Sequence, residues 1–123
     1  MSVISLRPST ITARANADLS AKQFFVVKLS STAGYVALAG AGEGDAVLMN
    51  TPASEELADI AVMGGAKVKL GGTVTRGQYG KSDASGKIVA ATTDKDRYIV
   101  KILESGVDGD IVSAIVCPGY LAA

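Results

Sequence analysis

The chain is expected to be mainly β: a single small β-barrel or β-sandwich-like domain behind an extended N-terminal arm. Three observations lead there. Apolar segments of strand length recur between clusters of Asp, Gly and Ser. Hydrophobic residues make up 48% of the chain and include much Val, whose branched side chain suits a pleated surface. No stretch long enough for a stable helix carries the spacing of an amphipathic one. With 123 residues the chain is one domain by length, able to bury roughly two-thirds of its unfolded surface.

Residues 1–17 are rich in Ser, Thr, Ala and Asn and show no sustained period, so they read as the arm, with a short edge strand near residues 10–12. A terminal segment this poor in apolar residues is ordered only where something ties it down. Adding its main chain to a neighbouring sheet is one way to do that. Residues 18–123 then form the domain, and deleting residues 1–15 is expected to leave that domain folded.

Strands begin at Gln23, with Phe25, Val27 and Leu29 on one face and Phe24, Val26 and Lys28 on the other. A turn at residues 30–34 leads to a strand at residues 35–38, and a Gly-rich run separates it from one at residues 46–49. Residues 50–56 read as a polar loop in which Thr51-Pro52 could start one helical turn. Gly64-Gly65, between apolar residues 58–63 and the alternating Lys67-Val68-Lys69-Leu70, reads as a hairpin turn. Residues 77–116 read as strand, turn, strand, turn, strand. In residues 98–103 and 111–116 both alternating sets are largely apolar, and a strand apolar on both faces must be covered on both. A second copy of the chain is the expected cover.

Composition also narrows the chemistry. The 12 basic and 12 acidic residues cancel and form no basic run, which argues against nucleic acid as a partner. The absence of His removes Ser-His and Cys-His nucleophile systems and the usual zinc ligand sets, so no enzyme, cofactor or metal site is expected. Cys117 cannot form an intrachain disulfide and reads as a packed small hydrophobe. The N-terminal residues lack a signal-peptide layout and no apolar stretch reaches membrane-spanning length, so cytoplasmic synthesis and no membrane partner are expected. Gly40-Ala41-Gly42-Glu43-Gly44 is followed by an acidic residue and a strand, so it reads as a turn and not a phosphate loop. The carboxylates of Asp94-Lys95-Asp96 and Asp108-Gly109-Asp110 lack the further ligands of a calcium loop, and Glu55, Glu56 and Asp59 read as a solvated face.

Between Ala17 and Val116 the chain resembles the small phage capsid decoration, or head cement, proteins. The resemblance rests on Ala17-Asp18-Leu19-Ser20, Gly44-Asp45-Ala46-Val47-Leu48-Met49-Asn50-Thr51-Pro52-Ala53 and Val62-Met63-Gly64-Gly65-Ala66-Lys67-Val68. It continues through Gly71-Gly72-Thr73-Val74-Thr75-Arg76-Gly77, Lys81-Ser82-Asp83-Ala84-Ser85-Gly86-Lys87, Ile102-Leu103-Glu104 and Gly109-Asp110-Ile111-Val112. It departs from the pattern at Gln78-Tyr79-Gly80 and near Tyr98-Ile99-Val100. The resemblance implies a virion protein on the outer capsid surface that binds the major capsid protein and itself. It would act as a homotrimer at threefold or quasi-threefold positions and stabilise the head there. Ser9, Thr10, Ile11, Thr12 and Arg14 are the candidate capsid contacts. Two alternatives stand beside it. One is a lipoyl-type carrier with Lys95 at a hairpin tip, similar around Thr92-Thr93-Asp94-Lys95. The other is a glycan- or receptor-binding β-module of a phage tail or spike, with Tyr35, Tyr79, Tyr98 and Tyr120 as its aromatic platform.

Overall fold

A computed structural model of the chain describes residues 8–93 and 95–121. Its nine strands are β1 (Ser9–Ala15), β2 (Val26–Leu29), β3 (Tyr35–Leu38), β4 (Ala46–Leu48), β5 (Leu57–Lys69), β6 (Tyr79–Ser82), β7 (Ile88–Ala90), β8 (Arg97–Ile102) and β9 (Ile111–Tyr120). They hydrogen-bond in the order β1-β3-β2-β4-β5-β9-β8-β6-β7, and β1 also pairs with β5. That extra pairing closes β1, β3, β2, β4 and β5 into a five-stranded ring. The remaining strands form a second sheet on the far half of β5. Its last strand returns to the first through a parallel bridge between Leu70 and Ile88. The mainly β class is thus observed, with no helix among the described residues.

β5 belongs to both halves. Residues 57–63 pair with β1 and residues 64–69 with β9, so Gly64-Gly65 lies inside one continuous strand. This corrects the expected hairpin there. Gly64 has φ +89°, a left-handed conformation open to glycine, and it bends the strand between the halves without reversing it. Apolar alternation on either side of a Gly pair looks the same for a turn and for a bend.

Five strands enclose little space, and Ala and Val supply five of the eight buried side chains that fill it, with Leu19, Leu48 and Ile60 as the larger ones. Ala15, Leu19, Val27, Val36, Ala46, Leu48, Ala58 and Ile60 form the ring interior. The second core contains Val68, Leu70, Ile88, Val100, Ile102, Val112 and Val116, among others, together with Val26, Val47 and Ala61. Those last three lie side by side in register on β2, β4 and β5. The second half therefore packs on the outside of the first. Burying each of the Val, Leu and Ile side chains among these contributes about 1.5–3 kcal/mol.

The segment expected to be an arm is extended, yet it is part of the ring. Residues 9–14 pair antiparallel with β5, Arg14 and Ala15 pair parallel with β3, and Ala15 is fully buried. The part of the arm within residues 1–7 lies outside the described residues. Phe24 and Phe25 precede β2, and no helical turn follows Thr51-Pro52. Residues 77–96 hold two strands, β6 and β7, where a single one was expected.

Candidate interaction surfaces

The five candidate contact residues occupy one strand. Ser9, Thr10, Ile11, Thr12 and Arg14 are all exposed, because the alternate positions Ala13 and Ala15 turn small side chains toward the ring interior. Ile11 shares the inward parity, opposite Ile60, yet it is 51% exposed, and β3 does not pair with β1 at its position. Among the described residues β3 reaches β1 only at Arg14 and Ala15, which leaves the same edge of Ser9 to Ala13 without a strand. Arg14 has a local role as well: its guanidinium donates to the Glu55 carbonyl at 2.8 Å. Tyr35 donates its hydroxyl to the Glu55 carboxylate at 2.6 Å, a bond that raises the phenol pKa above its usual value.

A second surface is the outer face of the second sheet. Tyr79 on β6, Lys101 on β8, Ile115 on β9 and Gly65 on β5 stand in one cross-strand row. The Lys101 ammonium lies 5.4 Å from the centroid of the Tyr79 ring, and Tyr79 stacks on Tyr98 with centroids 4.1 Å apart. Cys117 is partly buried near Lys101, and burial pushes its thiol pKa up, away from the reactive thiolate. Ile111 and Ile115 remain exposed on β9, whereas Ser113 between them is covered and donates its backbone N–H to Glu104 at 2.9 Å. The expectation that β9 is apolar on two faces holds, and within one chain only one face is fully covered.

A third surface was not anticipated. A cleft of about 510 Å³ lies between the residue 20–25 loop, Thr51, Lys69, Ser85, Lys87 and Ile111. Lys22, Lys69 and Lys87 line it and no carboxylate does. The ion pairs among the described residues join Lys28 to Glu43, Lys81 to Asp96 and Arg97 to Asp45, so none of them neutralises the cleft. Phe24 forms part of the wall at φ +72°, a strained conformation for a bulky residue. Two backbone bonds hold it: its N–H donates to the Leu48 carbonyl at 2.7 Å, and its carbonyl accepts from the Lys69 N–H at 3.0 Å. The lining residues come from five separate stretches of chain, and no local motif marks them as a group.

The turns behave as turns. Glu43 accepts from the Gly40 N–H at 2.8 Å and from Lys28, contacts that lower its pKa, with the backbone bond the larger cause. Asp110 accepts from the Val107 N–H at 3.0 Å. Among the described residues no group of three or more potential ligands could hold a metal ion.

The geometry corrects one alternative and weakens another. Lys95 does not sit at a hairpin tip, because β6 lies between β7 and β8, and the connection carrying Lys95 crosses over it. The Lys95 N–H is also tied to the Leu121 carbonyl at 2.7 Å; Asp94 lies outside the described residues. As for an aromatic platform, Tyr79 and Tyr98 stack on each other instead of standing side by side, and the Tyr35 hydroxyl is committed to Glu55. Tyr120 alone stands well exposed, at 70%.

No protein-family model and no curated protein matches the chain. A likeness exists among solved structures. The crystal structure of the head fiber gp8.5 N base of bacteriophage phi29 is similar in fold, with a TM-score of 0.70 at 15% sequence identity. The match covers 95% of this chain and 100% of that one. At that identity the shared feature is the fold, spanning both the ring and the second sheet.

Proposed function

We propose that this chain is a structural protein of a phage head, seated on the outer capsid surface and stabilising the head as a decoration protein. The observation that carries the reading is the near-complete likeness in fold to the base of a phage head fiber. Fold by itself does not give function, so the surfaces must suit the task as well. The edge of β1 at Ser9 to Ala13 suits main-chain pairing with a capsid segment, with Ser9, Thr10, Ile11, Thr12 and Arg14 as the contact set. The exposed Ile115, in one row with Tyr79 and Lys101 on the outer face of the second sheet, suits packing between copies, consistent with a homotrimer at threefold or quasi-threefold positions. Many weak contacts repeated over a lattice add up through avidity. The name of the phi29 protein favours a second reading, a base that anchors a projecting fiber.

Co-sedimentation with expanded phage heads, followed by thermal disruption of those heads, tests both readings. Binding that raises the disruption temperature supports decoration, and binding that leaves it unchanged favours the anchor. Failure to bind heads at any concentration would sink both.

A further inference from the structure

We propose that the cleft between the residue 20–25 loop and β9 is a docking site for an acidic, partly apolar peptide segment of a protein partner. Lys22, Lys69 and Lys87 line one concavity that no carboxylate lines, with the Lys22 ammonium 5.0 Å from the centroid of the Phe25 ring. The nearby carboxylates of Asp18 and Asp83 are engaged by backbone N–H groups of Ser20 and of Ser85 and Lys87. The volume, about 510 Å³, is within the range of ligand sites. The rest of the lining narrows the class. Phe24 and Ile111 supply most of the apolar surface, since Phe25 is largely buried. Ser20, Thr51 and Ser85 add short donors and acceptors suited to a peptide backbone, beside Gln23, whose amide N–H donates to the Met49 carbonyl at 3.0 Å. A phosphate-rich polymer is favoured by bidentate Arg forks and a continuous basic track, neither of which lines the cleft. The Phe24 conformation is a further pointer. Strain of this kind persists where surrounding structure over-determines it, and such positions cluster at ligand clamps.

The site rests on the head-protein reading only for where its segment comes from; the chemistry of the cleft stands without it. The test is a titration followed by amide NMR, using the peptide acetyl-Glu-Leu-Glu-Leu-Glu-amide, with a heparin tetrasaccharide as the sulfated comparison. Shifts confined to the neighbourhood of Phe24, Lys69, Lys87 and Ile111 are expected. Neutralising the triad (Lys22→Gln, Lys69→Gln and Lys87→Gln together) should weaken peptide binding about tenfold, the size expected from three partly exposed charge contacts. The same spectra report whether that variant is folded, and Lys28→Gln, outside the cleft, should leave binding unchanged. Shifts scattered over the surface, equal affinity in the triple variant, no saturation, or tighter binding of the tetrasaccharide would each overturn the proposal. If the protein fails to bind heads while the peptide result stands, the head reading falls and the docking site survives.

Discussion

The two halves of the molecule close in different ways. The ring is sealed by main-chain pairing: β1 bonds to β5 along its length and to β3 at its end, and a compact set of mostly small side chains fills the inside. The second half depends on packing, because its core includes Val26, Val47 and Ala61 from the outer surface of the ring. One half is therefore held by its first strand, and the other by its neighbour. They share β5, so damage to the ring should be felt in both.

The largest effect should come from deleting residues 1–15. That removes β1, uncovers the ring interior and unpairs the edges of β3 and β5. Loss of amide dispersion in both halves is the expected outcome, contrary to the detachable arm expected from composition. A truncated protein that keeps a dispersed second half alone would show that the second core stands without the ring.

A smaller effect tests the joint. Gly64→Ala places a side chain on a left-handed residue in the middle of β5 and should cost about 1–2 kcal/mol in chemical denaturation. Because the strand is shared, the transition should remain single. Two separated transitions would mean that the halves are only loosely coupled.

The smallest effect concerns a corner of the second half. The Lys81 ammonium, 3.0 Å from the Asp96 carboxylate, and the Thr93 N–H hold the Asp96 carboxyl below its ordinary pKa, with Lys81 the larger cause. A lowered folded-state pKa means that the stabilisation is complete above the ordinary aspartate value, near pH 4. It is lost as pH falls through the lower folded value. Asp96→Asn should therefore narrow the gap in thermal midpoint between about pH 6 and about pH 3. An unchanged gap would remove Asp96 from the acid response.

How much of this was legible in the chain depends on what each element shows to its neighbours. β3, β4 and β9 alternate or run apolar because their side chains meet a core, and the turn at Gly34 carries the residue its φ of +83° favours. β1 was hard to read as a core strand, since Ser9, Thr10, Thr12 and Arg14 face outward and its buried side chain, Ala15, is small. Its place comes from backbone bonds, which carry no side-chain signature. The cleft lysines could not be grouped, because Lys22, Lys69 and Lys87 lie far apart along the chain.

By itself, then, the sequence determined the β class, the absence of histidine chemistry and most of the strand positions. Those follow from composition and from local alternation, which report whether a segment can lie half-buried. Tertiary structure decided that Gly64 bends one strand shared by two sheets, that β1 closes a ring, and that three distant lysines face one cleft. Each of these depends on which distant segments pair, and strand pairing is set by the summed burial of both partners, a quantity no single segment carries.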